Sequence, residues 1–402
     1  MMYRQFGKLD FKPSALGFGL MRLPLKDKEK GLVDIDEAVR IVRYAIDNGV
    51  NYLDTAYVYH RAESERILSE ILKDGYREKV KIATKFPLWD LKEYSDLDRI
   101  FFEQLDKLKV KKIDFYLLHA LNRERFNLVK KMNIIEWLEK KKADGYIDYI
   151  GFSFHDKLSV FKKIIDFYSW DFCQIQYNLV DSKYQAGQSG LKYAHSKGIG
   201  VIVMEPLRGG QLTATIPQDI MNLWADLASD YNKNNLPLLS DDKNNFYPTQ
   251  MLLDWIWSQP EVGLVLSGMS DFEQTRQNIL FAKSSSVGKI NSKLLTKFRK
   301  IEKTYKAKTA INCTACNYCK VCPSKVAIPY IFDLANQIVR FENERSPKMN
   351  YNFVPQENRA GKCVNCKICV SHCPQQLDIP ALLNKCKQVF EEDKSFPFVF
   401  KS

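Results

Sequence analysis

Eight of the ten cysteines fall in two tight runs near the C-terminus. The first holds Cys313, Cys316, Cys319 and Cys322 before Pro323; the second holds Cys363, Cys366, Cys369 and Cys373 before Pro374. Three thiolates at steps of three can wrap one face of an iron–sulfur cubane. The second run has the C-x2-C-x2-C-x3-C-P spacing whose last cysteine serves a neighbouring cluster. Disulfides do not suit a chain lacking a secretory leader pattern, and zinc takes two separated cysteine pairs. Two [4Fe-4S] clusters would use Cys313, Cys316, Cys319 and Cys373 for one, and Cys363, Cys366, Cys369 and Cys322 for the other. The first run is one residue shorter before its last cysteine and 40 residues separate the runs, so one cluster or two stays open. Cys173 and Cys386 stand alone and read as core residues.

A second group of reactive residues lies in the N-terminal third: Asp54, Lys85 and His119 each close an apolar run, and Tyr59 follows Asp54 closely. A lysine buried at the end of an apolar strand needs a carboxylate, and Asp54 can supply it. An ammonium beside a phenol favours phenolate, which makes Tyr59 a better proton donor to a carbonyl oxygen near neutral pH. His119 can orient that oxygen. Together these groups describe carbonyl reduction, with hydride arriving at carbon while Tyr59 protonates oxygen.

For such side chains to meet, the chain must gather strand ends. Short apolar or β-branched runs recur at 15–19, 51–56, 81–85, 114–119, 149–153, 173–178, 200–206 and 262–268, with amphipathic stretches between them. Residues 34–49 carry a helical apolar pattern that stops at Gly49, and 64–72 begins at Ser64, an N-cap type. Eight strands alternating with helices predict an α/β fold, a (β/α)8 TIM barrel rather than a doubly wound sheet. In that fold function belongs to the C-terminal strand ends, where Ser153, Gln176 and Glu205 join the residues above. The predicted barrel spans 1–283, with an insertion at 211–247, rich in Asn and Asp, read as a surface loop. A linker helix over 284–310, a small, mainly helical iron–sulfur domain over 311–392 and a tail over 393–402 follow.

The 402 residues are 45% hydrophobic and 27% charged, a globular composition that excludes collagen, coiled coil and wholesale disorder. No apolar run reaches the ~18 residues of a spanning helix, and the start lacks a signal-peptide order, so a cytoplasmic location without membrane partners is expected. The net charge of +12 omits metal-binding thiolates. Without an RRM, KH or helix-turn-helix pattern no nucleic-acid partner is expected. The basic bias suits an acidic electron-transfer partner or a phosphorylated cofactor.

The stretches "LDTAYVY", "ATK", "DFYLLH", "GFSFH", "QIQYN", "EPLRGG" and "VLSGMSDFEQTRQN" resemble an aldo-keto reductase, here carrying a C-terminal ferredoxin-like iron–sulfur domain. The resemblance covers nearly the whole chain. It implies a catalytic tetrad of Asp54, Tyr59, Lys85 and His119, with Ser153 and Gln176 holding the nicotinamide carboxamide. It places Met204, Pro206 and Leu207 along the nucleotide, and Gly268, Ser270, Gln274 and Asn278 around the adenosine phosphate. NADP(H) is the implied donor, with NAD(H) as the other choice. Five positions depart from the family pattern: Met204 replaces a stacking aromatic, Phe154 an asparagine, and Gly268 and Gln274 the cations that grip a 2′-phosphate, leaving Arg276 nearby. The fifth, His60, replaces a glycine and is expected to line the substrate pocket.

The expected function is a nicotinamide-dependent oxidoreductase acting on a small carbonyl or alcohol, with Tyr59 as general acid and base. A nicotinamide delivers two electrons as hydride while each cubane carries one. The clusters would therefore pass electrons to or from a ferredoxin or flavoprotein, sense redox state, or hold the C-terminal fold together. The alternative is an electron-transfer or redox-regulatory subunit with an altered barrel site.

Overall fold

A computed structural model of the chain describes residues 1–27, 31–214, 216–234, 236, 238, 239 and 247–400. Eight parallel strands close a barrel in chain order: β1 (Leu16–Gly19), β2 (Tyr52–Asp54), β3 (Lys81–Phe86), β4 (Ile113–Leu121), β5 (Ile147–Phe154), β6 (Phe172–Gln176), β7 (Gly200–Met204) and β8 (Leu264–Ser267), which pairs with β1. Every expected strand is present. Barrel strands are covered on both faces, which is why they read as continuous apolar runs. A ribbon of Leu25–Asp27 with Leu32–Val33 lies outside the barrel.

Phe6 packs at the strand starts with Tyr52, Phe115, Phe172 and Leu264. A Cβ on Gly200 would come within 2.6 Å of the Phe6 ring, so glycine at that strand start lets the ring seat. This aromatic floor fills the strand starts and leaves the strand ends for chemistry.

Helices α1 (Ile35–Asp47), α2 (Ser64–Ile71), α3 (Asp96–Leu108), α4 (Arg123–Lys131), α5 (Ile134–Ala143), α6 (Leu158–Phe167) and α7 (Gly187–Ser196) alternate with the strands. Asp34 caps α1 by accepting the Glu37 N–H. Ser64 is not the cap of α2: Glu63 holds that position, and the buried Ser64 hydroxyl accepts from Thr55 Oγ1 at 2.8 Å.

The stretch read as a surface loop contains a helix, α8 (Gln218–Lys233). Ile220, Trp224, Leu227 and Tyr231 repeat at helical spacing and are fully buried. Residues 240–246 of that stretch lie outside the described residues. Helices α9 (Tyr247–Trp257), α10 (Phe272–Lys283) and α11 (Ser292–Ala307) follow.

The chain forms two compact units, Met1–Pro206 with Pro237–Asn291, and Leu207–Leu236 with Ser292–Ser402. In the second, α8 packs on α11: the Trp224 and Phe298 rings lie 6.0 Å apart, and Trp224 Nε1 donates to the Tyr305 hydroxyl at 3.3 Å. That hydroxyl donates to Leu212 O at 2.8 Å. Helices α12 (Ile328–Phe341), α13 (Arg345–Tyr351), α14 (Ile368–Ser371), α15 (Ile379–Phe390) and α16 (Phe396–Phe400) complete it around Ile331, Phe332, Tyr351 and Leu383. The expected tail carries α16, whose Phe396 and Val399 are buried; residues 401 and 402 lie outside the described residues. Cys173 and Cys386 are buried, as expected of core residues.

Candidate active site and cysteine centres

The register of β2 with β3 pairs Asp54 with Ala83, bringing Lys85 near the end of β2. Lys85 Nζ donates to Asp54 Oδ1 at 2.6 Å, to Thr55 O at 2.7 Å and to the Tyr59 hydroxyl at 3.3 Å. An ammonium has three N–H groups, and these three acceptors use them all. Burial pushes the Asp54 carboxyl up and the Lys85 ammonium down, and their contact opposes both shifts. The ammonium is held by three acceptors, whereas the Asp54 carboxylate is held by Lys85 alone, its Oδ2 being buried without a hydrogen-bond partner among the described residues.

His119 closes β4's apolar run and packs edge-on against Tyr59, with ring centroids 6.1 Å apart. Trp89 packs 4.9 Å from the same imidazole. Burial first, then the charges of Lys85, Arg125 and His155, hold His119 well below the usual histidine range. It is therefore a neutral imidazole, a donor through its one N–H. The four expected catalytic side chains converge.

Behind Lys85 lies a buried network that sequence reasoning missed. Glu65 Oε1 accepts from Thr84 Oγ1 at 2.6 Å and from Gln104 Nε2 at 2.7 Å; Gln104 Nε2 also donates to Lys85 O at 3.2 Å. Burial raises the Glu65 carboxyl to about 7. Its signal was a glutamate beside Ile67, Leu68 and Ile71 on the buried face of α2.

Ser153 Oγ accepts the Ala120 N–H at 2.7 Å and keeps its hydrogen to donate. Gln176 Nε2 donates to Asp181 Oδ2 at 3.2 Å. Met204 ends β7, within 3.6 Å of Gln174 Nε2. Pro206 is buried and ends the first segment of its unit, and Leu207 begins the second unit. His60 Nε2 lies 2.9 Å from Leu20 O and braces the turn after β1.

After β8, Gly268, Ser270 and Gln274 are exposed and Asn278 is buried, donating to Ser267 Oγ at 3.0 Å. Ser270 N donates to Gln274 Oε1 at 3.2 Å. Arg276 is engaged by Glu273 at 2.8 and 3.0 Å. A Cβ on Gly268 would meet the Arg22 Cβ, Cγ and Cδ at 3.2 to 3.5 Å, so the arginine stem lies across the glycine. Strand-seven and strand-eight loops are the customary phosphate cradle of such barrels. The residues present fit a dinucleotide there: an exposed glycine beside the Arg22 side chain, and carboxamide partners at the ends of β5 and β6.

In the second unit, Cys313, Cys316, Cys319 and Cys373 line one cavity with Ile328, Phe332, Leu377 and Ile379. Cys319 is raised by burial first and then by Cys316, Cys313 and Cys373. Cys369 is raised to about 11 by burial and then by Cys322, Cys363 and Cys366. The thiols thus fall into two sets of four that cross between the runs. Among the described residues no three His, Cys, Asp or Glu side chains converge on a point that would hold a single ion. A thiol-lined cavity with apolar walls fits a cubane. The Arg208 guanidinium bonds Asn312, next to Cys313.

Among relatives, an oxidoreductase of Bacillus subtilis, YqkF, is 28% identical over 322 residues, covering 76% of this chain and 99% of its own. The aldo-keto reductase AKR11C1 of Bacillus halodurans in its holo form superposes with a TM-score of 0.59 at 24% identity, over 75% of this chain and 96% of its own. An aldo-keto reductase of Klebsiella pneumoniae in complex with NADPH gives a TM-score of 0.57 at 20% identity, over 75% and 96%. The 4Fe-4S dicluster domain pattern matches residues 312–377. The aldo/keto reductase family pattern matches residues 15–330, and the chain belongs to that family, with a 4Fe-4S domain at its C-terminal end.

Proposed function

We propose that the barrel interconverts a small carbonyl compound and its alcohol, with NADP(H) as the nucleotide. Bound NADP(H) would supply or take the hydride. Tyr59 donates its hydroxyl proton to the carbonyl oxygen, and the Lys85 ammonium at 3.3 Å stabilises the phenolate left behind. Asp54 keeps that ammonium charged and in place. The neutral imidazole of His119 hydrogen-bonds the same oxygen and orients it. The observation carrying this reading is the convergence of Lys85, Asp54 and Tyr59 beside His119 at the strand ends.

The preference for NADP(H) is supported by Arg22, whose stem crosses Gly268 while Arg276 is engaged by Glu273. Two cysteine sets support two [4Fe-4S] clusters, which would contribute one-electron chemistry when bound. The domain reading is a barrel followed by a cluster domain, with residues 207–236 assigned to the latter.

The test is Tyr59→Phe. With small aldehydes and NADPH its kcat should fall by about 10²–10⁴-fold, the usual scale of a lost general acid, while nucleotide binding persists. Unchanged turnover would remove Tyr59 from the proposed role.

A further inference from the structure

The two cysteine sets differ in their access to solvent. Each has one buried thiol, Cys319 and Cys369, but in the first the other three are only partly exposed, and Phe332 and Ile379 wall its cavity. In the second, Cys366 is exposed, and so are the apolar side chains near it in sequence, Val364 at 67% and Ile368 at 43%. Val321, beside Cys322 on the other segment, is 46% exposed. A cluster held there has a ligand at the surface, framed by branched apolar side chains that nothing in this unit covers.

Exposed lysines border this apolar edge. Lys320 precedes Val321, and the Lys325 N–H donates to Cys322 O at 3.0 Å. Lys362 precedes Cys363, and Lys367 follows Cys366. Residues 313–327 and 360–377, which supply all eight cysteines, contain no Asp or Glu. Lysines of the same unit that pair with carboxylates lie elsewhere: Lys308 with Asp219 and Glu342, and Lys348 with Glu344 and Asp393. Glu391 reaches this edge at the Gly361 N–H, and the charges within these segments themselves are lysines; a small apolar centre flanked mainly by one charge gives fast, steered association and ready release rather than a permanent complex.

We propose that this edge docks an acidic one-electron carrier protein, which exchanges single electrons with the second cluster. The inference rests on the reading that both cysteine sets hold clusters. In each encounter one centre loses an electron and the other gains it; no bond forms or breaks and no proton moves. The opposite charge of the carrier is what the lysine rim selects.

The experiment uses the full chain, reconstituted with iron and sulfide under anaerobic conditions, and an acidic plant-type [2Fe–2S] ferredoxin as the probe. Calorimetry should give a Kd that weakens at least tenfold between 50 and 300 mM NaCl. The variant Lys320→Glu/Lys367→Glu should weaken binding at least tenfold at low salt, with iron content and EPR signals unchanged. Equal affinity in that variant, or no binding by the parent protein, would overturn the proposal. So would rim-dependent binding of random-sequence RNA without any binding of the ferredoxin. A reconstituted chain that holds no iron would sink the cluster reading and the docking surface together; a chain with both cluster signals and no rim-dependent binding would sink the docking surface alone.

Discussion

Lys85 Nζ lies 2.6 Å from Asp54 Oδ1, and both side chains are buried at the ends of neighbouring strands. Removing one partner strands the other's charge. Asp54→Asn should therefore cost about 3–5 kcal/mol in urea unfolding as well as most of the activity. The double variant Asp54→Asn/Lys85→Met should regain much of the stability and none of the turnover. A double variant less stable than Asp54→Asn would argue that Lys85 stabilises the barrel independently of this pair.

Glu65 gives a pH dependence of opposite sign to that of a paired surface carboxylate. Its folded value, raised by burial to about 7, lies above its unfolded value of 4.5, so the folded state binds the extra proton. The stability from neutral Glu65 is fully present below 4.5 and declines as pH rises towards 7, by about 3 kcal/mol in all. Glu65→Gln should flatten the fall in Tm across that window. Parallel Tm curves for the parent and the variant would refute the linkage.

Arg22 should decide the nucleotide. Arg22→Gln is expected to raise the Kd for NADPH about tenfold, the scale of one charge-assisted contact to a phosphate. Fluorescence titration with NADH separates the sources: an effect confined to NADPH places Arg22 on the 2′-phosphate, and equal losses place it on the pyrophosphate. Unchanged affinity for both would remove Arg22 from the nucleotide site.

The crossed cysteine sets predict which cluster each variant loses. Cys373→Ala should disturb the EPR signal of the enclosed set, with Cys313, Cys316 and Cys319, although it lies in the run of Cys363. Cys322→Ala should disturb the other. Each should lower the iron content to about half that of the parent protein if cubanes need four thiolates. Loss of the signals in the reverse order would show that each run serves its own cluster.

Much of this architecture was legible because barrel strands and cluster ligands are local patterns. β1 to β8 emerge from continuous apolar runs, and their ends locate Asp54, Lys85 and His119. The proline-terminated spacing of the second run suggested that Cys322 and Cys373 cross, while the shorter first run left the crossing and the number of clusters open. Contacts made by distant residues were not readable. The Arg22 stem meets Gly268 only because β1 and β8 are neighbours across the closure of the barrel. Glu65 became a buried acid through Thr84 and Gln104, on β3 and α3, which no local spacing connects to it. The α8 helix was legible in Ile220, Trp224, Leu227 and Tyr231, but the Asn-rich composition downstream masked that periodicity.

The pairing of α8 with α11 has a consequence for how such a chain can be cut or recombined. The cluster-bearing unit is not a cassette that begins after the barrel: one of its helices is encoded inside the barrel gene segment, between β7 and β8. Truncation near residue 291 would leave α8 behind with Trp224 uncovered, exposing an apolar face that favours aggregation. Grafting residues 292–402 onto another barrel would leave Phe298 and Tyr305 without their partner helix. Moving the cluster unit intact therefore means moving two pieces of chain, 207–236 and 292–402, out of and away from the barrel together.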